Sequence, residues 1–526
     1  MVTPSAWLRP VPSLLVAVVA FGAARAALLP GVAFWDTGEL QTVGPLMATA
    51  HPTGFPTYVL LGWLASVVLQ PFGEPAFRMN LFNAICLAAA AGLTVDLGRA
   101  LTRSTALGVL AGLGLALTPI AWAIGTHADA HALHLVFVVL LLRLLLAWES
   151  RVRWETAGGT DARSRGRRAA DRGDRYLVAA AAVFGLALGT HSVVLLLAPA
   201  VGLFVLAVEP AIRERRGLVV TSAAALAIAV TLVYLELPLR AGPFRAPLVY
   251  GRPDTWDGFW YVALGQQFMG SLVDPFGDLP RKLADLAALA ADQFGPLAVL
   301  IPFGLAATIR RRPRYALLTC LSLGLVCFFA ASYENAEIGR YYLVPILIAW
   351  TWLAVLARSA ADWLATALGR RSARAARARR LGGAVAVGLA AVLLAPTVVA
   401  APDRLAALDE SGDRSAIDWT DRALGTLEPD AVVVSWWSYS TPLWYAQRVE
   451  GRRPDVTIID DRTRLDEGLG DFTDVIDAYL GSRPVYVIRS DPDDVARLSA
   501  RYRLEPVDGA VGFGLTRVTG RLGAGS

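Results

Sequence analysis

The stretch at residues 34–63 is FWDTGELQTVGPLMATAHPTGFPTYVLLGW, and it places two carboxylates directly after an apolar run. Asp36 and Glu39 are three residues apart, so a helix would carry both on one face. Two prolines and a glycine closely follow His51. They predict a stiff, extended turn, because proline removes a helix hydrogen bond and restricts the residue before it. The two acids and the histidine are therefore the first candidates for a functional site.

The acid pair has two interpretations. Two neighbouring carboxylates can split their pKa values and leave one of them as a general base near neutral pH. Alternatively, Asp36 caps a short helix that begins near Thr37, and Glu39 is a solvated residue of its first turn. The spacing alone leaves both interpretations open.

The surrounding chain is too apolar for a water-soluble protein. Of its 526 residues 55% are hydrophobic and 18% are charged, and the mean hydropathy is +0.49. The segment 57–70 would be about 21 Å long as a helix, too short to span a bilayer upright, and is predicted to lie in the interface or to re-enter. About eleven longer apolar segments predict a polytopic α-helical membrane protein: 11–29, 79–98, 105–124, 132–148, 177–190, 192–208, 218–237, 294–309, 315–332, 341–358 and 381–401.

Arginine placement predicts the orientation of these helices. Cytoplasmic loops are enriched in Lys and Arg, and every strongly basic loop falls on one side if the N-terminus is cytoplasmic. The net charge of +5 therefore indicates topology rather than nucleic-acid binding. Residues 24–26, Ala-Arg-Ala, also fit a signal-peptidase site, but we favour an uncleaved first span. The basic loops are 99–104, 149–176, 209–217, 310–314 and 359–380.

Two domains are predicted. Residues 1–401 form the membrane domain, whose outer loops include 30–78 and 238–293, and residues 402–526 form an extracytoplasmic α/β domain. Apolar strands and a capped helix predict the second domain. Its aromatic residues would form either a platform for sugar stacking or, as we favour, part of the domain core: Trp436, Trp437, Trp444 and Tyr445.

A histidine stripe and several arginines would share the predicted outer face. His127, His131 and His134 have helical spacing and lie beside Asp129, so they predict either a metal site or histidines that hydrogen-bond at an interfacial helix start, which we favour. Arginines and tyrosines could bind an anionic group such as phosphate, although each arginine alone would equally pair with lipid headgroups or an acid. These are Arg240, Arg245, Arg252, Arg340, Tyr341 and Tyr342.

These motifs together resemble a known family. The opening is similar to the family first described as domain of unknown function 2723, whose transmembrane protein 260-like members are O-mannosyltransferases of the GT-C class. The family pattern is Asp-x-Gly-Glu, then His-Pro-Pro-Gly-Tyr-Pro, then Arg-x-Asn. The matching residues here are Asp36 to Glu39, His51 to Pro56, with Thr53 and Phe55 exchanged, and Arg78 with Asn80. Further segments that are similar to the family contain Asp129 and His131, His191, Arg240 and Tyr341. Asp129 replaces a glutamate of the family pattern, which counts against a direct catalytic role for it.

The resemblance implies a GT-C-like fold, in which the first outer loop carries the catalytic acid, and a polyprenyl-phosphate-linked sugar as donor. The hypothesis is a multi-pass cell-membrane glycosyltransferase that moves a sugar, with mannose as one candidate, to a hydroxyl of an extracytoplasmic protein or glycan. Asp36 would be the general base and Glu39 would orient it. The predicted donor or substrate contacts are His51, Arg78, Asn80, Asp129, His131, His191, Arg240, Arg340 and Tyr341.

The alternatives are a transporter or flippase for a lipid-linked or anionic solute, and a metal-binding sensor. Transporters tend to have internal repeats and charges at mid-membrane, whereas this chain shows no repeat and crowds its charges at one boundary. The sequence specifies no cofactor and leaves a divalent cation open.

Overall fold

The computed structural model describes residues 10–157, 163–369, 375–507 and 514–522. The chain forms two compact units, each built from three separate segments. Unit 1 comprises Met1–Leu28, Asn83–Tyr234 and Gln267–Glu410, and unit 2 comprises Leu29–Phe82, Leu235–Gln266 and Ser411–Ser526. The predicted boundary at 401/402 therefore does not describe unit 2, because parts of the two predicted outer loops fold with the C-terminal segment.

The α-helices and strands follow in chain order. The helices are α1 (Pro10–Ala26), α2 (Trp35–Leu46), α3 (Pro56–Val68), α4 (Pro75–Thr102), α5 (Thr105–Ala116), α6 (Pro119–Ala123), α7 (Ala130–Ala157), α8 (Arg163–Leu188), α9 (Ala198–Val208), α10 (Arg216–Tyr234), α11 (Glu236–Ala241), α12 (Trp256–Ala263), α13 (Leu279–Phe294), α14 (Ile301–Arg311), α15 (Pro313–Ala330), α16 (Leu343–Gly369), α17 (Ala375–Val399), α18 (Ala401–Leu408), α19 (Ser415–Thr426), α20 (Trp437–Trp444), α21 (Asp461–Asp466), α22 (Phe472–Tyr479) and α23 (Pro492–Arg501). The strands are β1 (Val432–Val434), β2 (Thr457–Ile459), β3 (Val485–Val487), β4 (Tyr502–Pro506) and β5 (Thr516–Arg521).

Within the described residues, seven helical stretches are long and apolar enough to cross a membrane: Pro75–Thr102, Ala130–Arg153, Arg216–Ala241, Leu279–Arg311, Pro313–Ala330, Ile338–Ala367 and Leu381–Leu408. Shorter apolar helices cover Pro10–Ala26, Pro56–Val68, Thr105–Ala116 and Ser192–Val208. The polytopic helical architecture predicted from the sequence is confirmed, whereas the predicted number of spans is not settled by these lengths. The short helix predicted at 57–70 is α3.

Two predicted spans differ from the structure. The helix predicted over 105–124 ends at Ala116, because Pro119 starts a new short helix and the residue before a proline is disfavoured in helical geometry. The span predicted over 294–309 lies inside an apolar helical stretch that already begins at Leu279. Unit 1 is thus helical throughout its described elements.

Unit 2 contains a mixed sheet in the order β2-β1-β3-β5-β4. β1 pairs in parallel with β2 and β3, while β5 runs antiparallel to β3 and β4. The three apolar strands were predicted from the sequence, and the two C-terminal strands were not. Alternate residues of the central strands enter two separate cores, as expected for a sheet covered on both faces.

The core on one face of this sheet explains why separate segments of the chain belong to unit 2. Trp419, Val433 and Trp444 belong to this core, and Phe34 and Leu248 pack against it. Phe34 directly precedes α2, and Leu248 lies in the segment between α11 and α12. Residues predicted as membrane-domain loops therefore complete the hydrophobic core of the α/β domain, and this packing fixes the start of α2.

A glycine lets α2 pack closely at this point. A Cβ atom on Gly38 would lie 2.2 Å from the carbonyl oxygen of Ala33 and 2.8 Å from Oγ1 of Thr441. We expect Gly38→Ala to lower the stability of the protein by about 1–3 kcal/mol, because the nearest contact is with the backbone and cannot move aside. Thermal unfolding of the purified protein measures this loss.

The matched control for this prediction is Gly425→Ala in α19, where a Cβ would meet nothing within 4 Å. Alanine is the better helix former, so this change is expected to be neutral or slightly stabilising. Equal melting temperatures for the two variants would contradict the packing argument.

Candidate active site

Helix α2 carries both acids of the opening motif. Asp36 lies in the first turn and Glu39 lies three residues further on, as the sequence predicts. The helix begins at Trp35 after Phe34, which makes no side-chain cap, so the alternative that Asp36 caps a helix from Thr37 with a solvated Glu39 is wrong. Glu39 is fully buried, whereas the side chain of Asp36 keeps 26% of its surface exposed. The two carboxylates therefore have different environments.

The turn after α2 places His51 between the two acids. The backbone N–H of His51 donates to Oε1 of Glu39 over 2.8 Å, and its ring Nδ1 hydrogen-bonds to Oε2 of the same carboxylate. Since an ionised carboxylate only accepts, Nδ1 is the donor. The other ring nitrogen, Nε2, lies 4.0 Å from Oδ2 of Asp36. Glu39 thus fixes the orientation of the imidazole, and the imidazole faces Asp36.

The carboxyl edge of the parallel strands supplies the other half of the site. Trp437 follows β1 and Arg462 follows β2, and parallel strands bring such residues to one edge. The indole Nε1 of Trp437 donates to Oδ1 of Asp36 over 2.9 Å. Nη1 of Arg462 lies 3.8 Å from Oε1 of Glu39. Both residues therefore contact the acid pair from a part of the chain about 400 residues away.

An aromatic cage holds the guanidinium of Arg462. Its Cζ lies 3.1 Å from the ring centroid of Tyr250 and 4.5 Å from that of Trp437. Cation–π contacts of this kind favour a desolvated arginine. Nη1 of Arg462 is buried and makes no hydrogen bond, so Glu39 neutralises it by charge rather than by a direct bond. Arg462 therefore brings a compensating positive charge to the acid pair, and His51 brings a second one when it is protonated.

The environment of His51 favours its protonated form. Burial opposes the charge, but the carboxylates of Glu39 and Asp36 outweigh burial and raise the pKa of His51 above its ordinary value. A histidine whose pKa is raised by folding contributes stability below its unfolded pKa of about 6.5 and loses it as the pH rises through the raised value.

We therefore expect the stabilising effect of His51 to depend on pH. The gap in melting temperature between wild type and His51→Gln should be larger at pH 5.5 than at pH 9, as measured by thermal unfolding of the purified protein. Gly425→Ala adds no contact to a titratable group and should show a gap that does not change with pH. A His51→Gln gap that is constant with pH would show that His51 carries no charge in this site.

Three residues of unit 2 that were predicted to contact substrate donate hydrogen bonds to backbone carbonyls. Arg240 donates from Nε to the carbonyl of Met47 and from Nη2 to that of Leu46, over 2.6 and 3.1 Å. These carbonyls end α2, where the last C=O groups lack helical partners. Arg78 donates to the carbonyl of Ser66 at the end of α3. These contacts position α2 and α3, and the donor-binding role predicted for both arginines stays a prediction.

Asn80 also acts on the backbone. It is fully buried, and its Nδ2 donates to the carbonyls of Leu29 and Gly31 over 3.0 and 3.2 Å. Its Oδ1 accepts from Nε2 of Gln41 over 2.8 Å, and Gln41 lies in α2. Asn80 therefore joins the chain before α2 to the helix itself. It is a positioning residue for α2, and its predicted substrate contact stays a prediction.

The remaining predicted residues form a second cluster, which lies in unit 1. Oδ1 of Asp129 accepts from the backbone N–H of His131 over 2.7 Å and lies 2.9 Å from its Nδ1, and Nη1 of Arg340 lies 3.4 Å from Oδ2. Burial acts to raise the pKa of Asp129, but His131 and Arg340 hold it well below its usual range. The rings of His131 and His191 lie 4.6 Å apart, and Tyr341 lies 5.2 Å from His131. These residues therefore lie close together within unit 1.

The second cluster borders a small cavity lined by His131, His134, Arg340 and Tyr341 together with apolar side chains. The Nε2 atoms of His131 and His134 are buried without a hydrogen-bond partner. Across the part of the chain that the structure describes, no group of three His, Cys, Asp or Glu side chains is placed to hold a metal ion. The phosphate role predicted for this cluster stays a prediction.

The aromatic residues of the C-terminal segment pack in or against the core of unit 2, and one of them also reaches the acid pair. Trp444 and Tyr445 are buried core residues, as favoured from the sequence. Trp437 packs against that core, as favoured, and in addition contacts Asp36 and Arg462. Arg462 and Tyr250 were not singled out for the acid site. The only sequence signal for either residue was the position of Arg462 shortly after an apolar strand.

Two solved structures share the fold of this chain. A crystal structure of ArnT from Cupriavidus metallidurans bound to undecaprenyl phosphate superposes with a TM-score of 0.57 and 16% identity, covering 98% of each chain. Archaeal oligosaccharyltransferase AglB from Archaeoglobus fulgidus, in complex with an inhibitory peptide and a dolichol-phosphate, gives a TM-score of 0.54 and 14% identity over 90% of this chain and 69% of that one.

The sequence comparisons are narrower. Residues 36–213 match the family model of the protein O-mannosyl-transferase TMEM260 N-terminal domain. Mouse protein O-mannosyl-transferase TMEM260 is 36% identical over 121 residues, which are 23% of this chain and 17% of the mouse protein. The resemblance predicted from the opening motifs is therefore confirmed, and the matched family segment contains both acids and His51.

Proposed function

We propose that this chain is an integral-membrane glycosyltransferase. In this proposal it transfers a sugar, with mannose as the first candidate, from a polyprenyl-phosphate-linked donor to a hydroxyl group of an extracytoplasmic protein or glycan. Asp36 is the general base of the reaction, and Glu39 and His51 hold it in place.

The observation that carries the proposal is the unequal burial of the two acids. Asp36 keeps 26% of its side-chain surface exposed, while Glu39 is fully buried and occupied by His51. A general base must reach the proton that it removes, so Asp36 is the acid that suits this role. Trp437 donates to one oxygen of Asp36, and His51 lies on the side of the other, so the carboxylate is held in a defined orientation.

The proposed step is a single displacement at the anomeric carbon of the sugar. The acceptor hydroxyl gives its proton to the Asp36 carboxylate while its oxygen forms the new glycosidic bond. The bond between the anomeric carbon and the phosphate oxygen breaks, and the polyprenyl phosphate leaves with the electron pair. A base of this kind contributes about 100- to 10,000-fold to the rate, or about 3–5 kcal/mol of barrier.

The lipid-linked donor follows from topology and from the related proteins. Arginine placement predicts an extracytoplasmic acid loop, and nucleotide sugars are not supplied on that side, so the proposed donor is carried by a lipid. ArnT is bound to undecaprenyl phosphate and AglB to a dolichol-phosphate in the two structures with this fold, and the mouse relative is named an O-mannosyl-transferase. These names support the donor and acceptor classes without specifying them. The proposal leaves a divalent cation open, and activity with and without EDTA decides that point.

The test is mass spectrometry of extracytoplasmic proteins and envelope glycans from cells with and without this chain. Loss of one hexose-sized modification without the chain, restored by wild type and not by Asp36→Asn, is the expected result. Unchanged glycans together with accumulation of a lipid-linked or anionic solute on one side of the membrane would instead favour a transporter.

A further inference from the structure

Helix α12 in unit 2 presents an exposed apolar stripe. Trp256, Trp260 and Leu264 follow at four-residue intervals and keep 74%, 37% and 51% of their surface exposed. The rings of the two tryptophans meet edge to face at 5.6 Å. Residues at such spacing lie on one side of a helix, so the stripe is continuous rather than scattered. Exposed apolar side chains that are contiguous in this way mark an interaction surface.

The opposite side of α12 is fixed to the candidate active site. Val262 is fully buried. Its methyl groups lie 3.0 Å from the position that a Cβ on Gly54 would take and 2.6 Å from the position of a Cβ on Gly251. Gly54 is three residues from His51, and Gly251 follows Tyr250 of the arginine cage. The position of the stripe is therefore tied mechanically to the turn that holds His51.

Two neighbouring segments of unit 2 are also apolar at the surface. Helix α3 begins two residues after Gly54 and exposes Trp63, Leu64, Val67 and Val68. It is apolar throughout but has only 13 residues, too few to cross a bilayer. Phe244, which is 65% exposed, follows the membrane-length helix Arg216–Ala241 by three residues. The chain thus leaves an apolar helix immediately before the segment that carries the stripe.

Two exposed arginines of this segment suit lipid phosphates, while the exposed Asp254 and Asp257 bring its net charge to zero. Arg245 and Arg252 lie between Phe244 and α12. Tryptophan is enriched where a bilayer meets water, because its ring is apolar and its N–H is polar, and arginine binds anionic headgroups. Aromatic rings and arginines combined with a preceding membrane-length helix favour a bilayer over a soluble partner.

We propose that residues 244–264 form a membrane-interface anchor, in which Phe244, Trp256, Trp260 and Leu264 enter the headgroup region and Arg245 and Arg252 bind lipid phosphates. The anchor holds the turn of His51 at a fixed depth relative to the bilayer surface. This inference does not depend on the proposed enzymatic activity.

Brominated phospholipids test the anchor, because bromine quenches tryptophan only on contact. The full-length protein is placed in nanodiscs of phosphatidylcholine and phosphatidylglycerol, with or without bromine near the headgroup end of the acyl chains. The emission of Trp256 and Trp260 is obtained by subtracting the emission of the double variant Trp256→Phe/Trp260→Phe from that of wild type. Phenylalanine keeps the apolar bulk and so preserves the fold. We expect brominated lipid to reduce this difference emission at least twofold.

The matched control is Trp419→Phe, which removes a tryptophan buried in the core of unit 2. Its difference emission should not respond to brominated lipid. Emission of Trp256 and Trp260 that is quenched by aqueous iodide but not by brominated lipid would overturn the anchor, because the stripe would then face water. Protection from both quenchers would overturn it equally and would assign the stripe to a protein contact.

Discussion

Replacing Asp36 with asparagine is expected to lower sugar transfer by about 100- to 10,000-fold, the contribution of a general base. Asparagine keeps the size of the side chain and an oxygen that accepts from Nε1 of Trp437, so the fold should persist. It cannot take the proton of the acceptor hydroxyl. The measurement is transfer of labelled mannose from polyprenyl-phosphate mannose to membrane acceptors, with wild type and variant reconstituted in the same lipid.

The matched control for this prediction is Asp418→Asn. Asp418 lies in α19 of the same unit, has 55% of its side chain exposed and pairs only with Arg414 in the described contacts. Exposed pairs of this kind contribute little, so activity should be unchanged. Transfer by Asp36→Asn within about threefold of wild type, from protein with an unchanged melting temperature, would remove Asp36 from the role of base.

The sequence alone predicted the local half of this site. The spacing of Asp36 and Glu39 fixed their common helix face, and the turn around His51 brought the imidazole back to that face, because both are short-range properties of the backbone. The apolar segments likewise predicted the helical membrane architecture. What spacing could not decide was which acid is buried, since burial depends on what packs against α2.

The distant half of the site could not be predicted from local pattern. Trp437 and Arg462 reach the acids because β1 and β2 are parallel and end at the same edge of the sheet, and strand order is set by long-range packing. The composition change near residue 402 predicted a separate soluble domain. The structure instead uses Phe34 and Leu248 to complete the core of that domain. Hydropathy describes each segment, whereas the unit is defined by contacts between segments.

The arginines show a related difficulty. Arg240 lies in a segment that resembles a family pattern and suits phosphate chemically, but its Nε and Nη2 donate to the terminal carbonyls of α2. Arg462 lies in no motif singled out from the sequence, yet it is the arginine that pairs with Glu39 in the described contacts. An arginine can serve either a ligand or the backbone, and only its surroundings distinguish the two.

Glu39 is expected to be the most important residue of the site for stability. Replacing it with leucine removes the acceptor of the His51 backbone N–H and leaves the charge of Arg462 without a carboxylate in a buried position. Removing one partner of a buried charge pair costs about 3–5 kcal/mol, largely because the other charge stays desolvated. Thermal unfolding of the purified protein should therefore show a large decrease in melting temperature for Glu39→Leu. Glu39→Gln retains an acceptor oxygen, so its decrease should be smaller.

A double variant separates the charge effect from the loss of packing. If the destabilisation comes from an uncompensated guanidinium, then adding Arg462→Met to Glu39→Leu should restore part of the lost stability, because the unpaired charge is removed as well. Methionine keeps an apolar side chain against Tyr250 and Trp437, which form the cage of Arg462. The expected order of melting temperature is wild type, Glu39→Gln, the double variant and then Glu39→Leu.

The alternative to this coupling makes a different prediction. If Arg462 stabilises unit 2 only through its contacts with the two rings, its loss adds to that of Glu39, and the double variant melts below Glu39→Leu. Activity gives a second criterion, because Arg462 acts to lower the pKa of His51. In Arg462→Met the acid limb of the pH–activity profile should move to higher pH, since the remaining groups then bind protons more readily. A reduced rate with an unmoved limb would assign Arg462 to packing alone, whereas a moved limb together with partial rescue in the double variant requires that its charge acts on the acid pair.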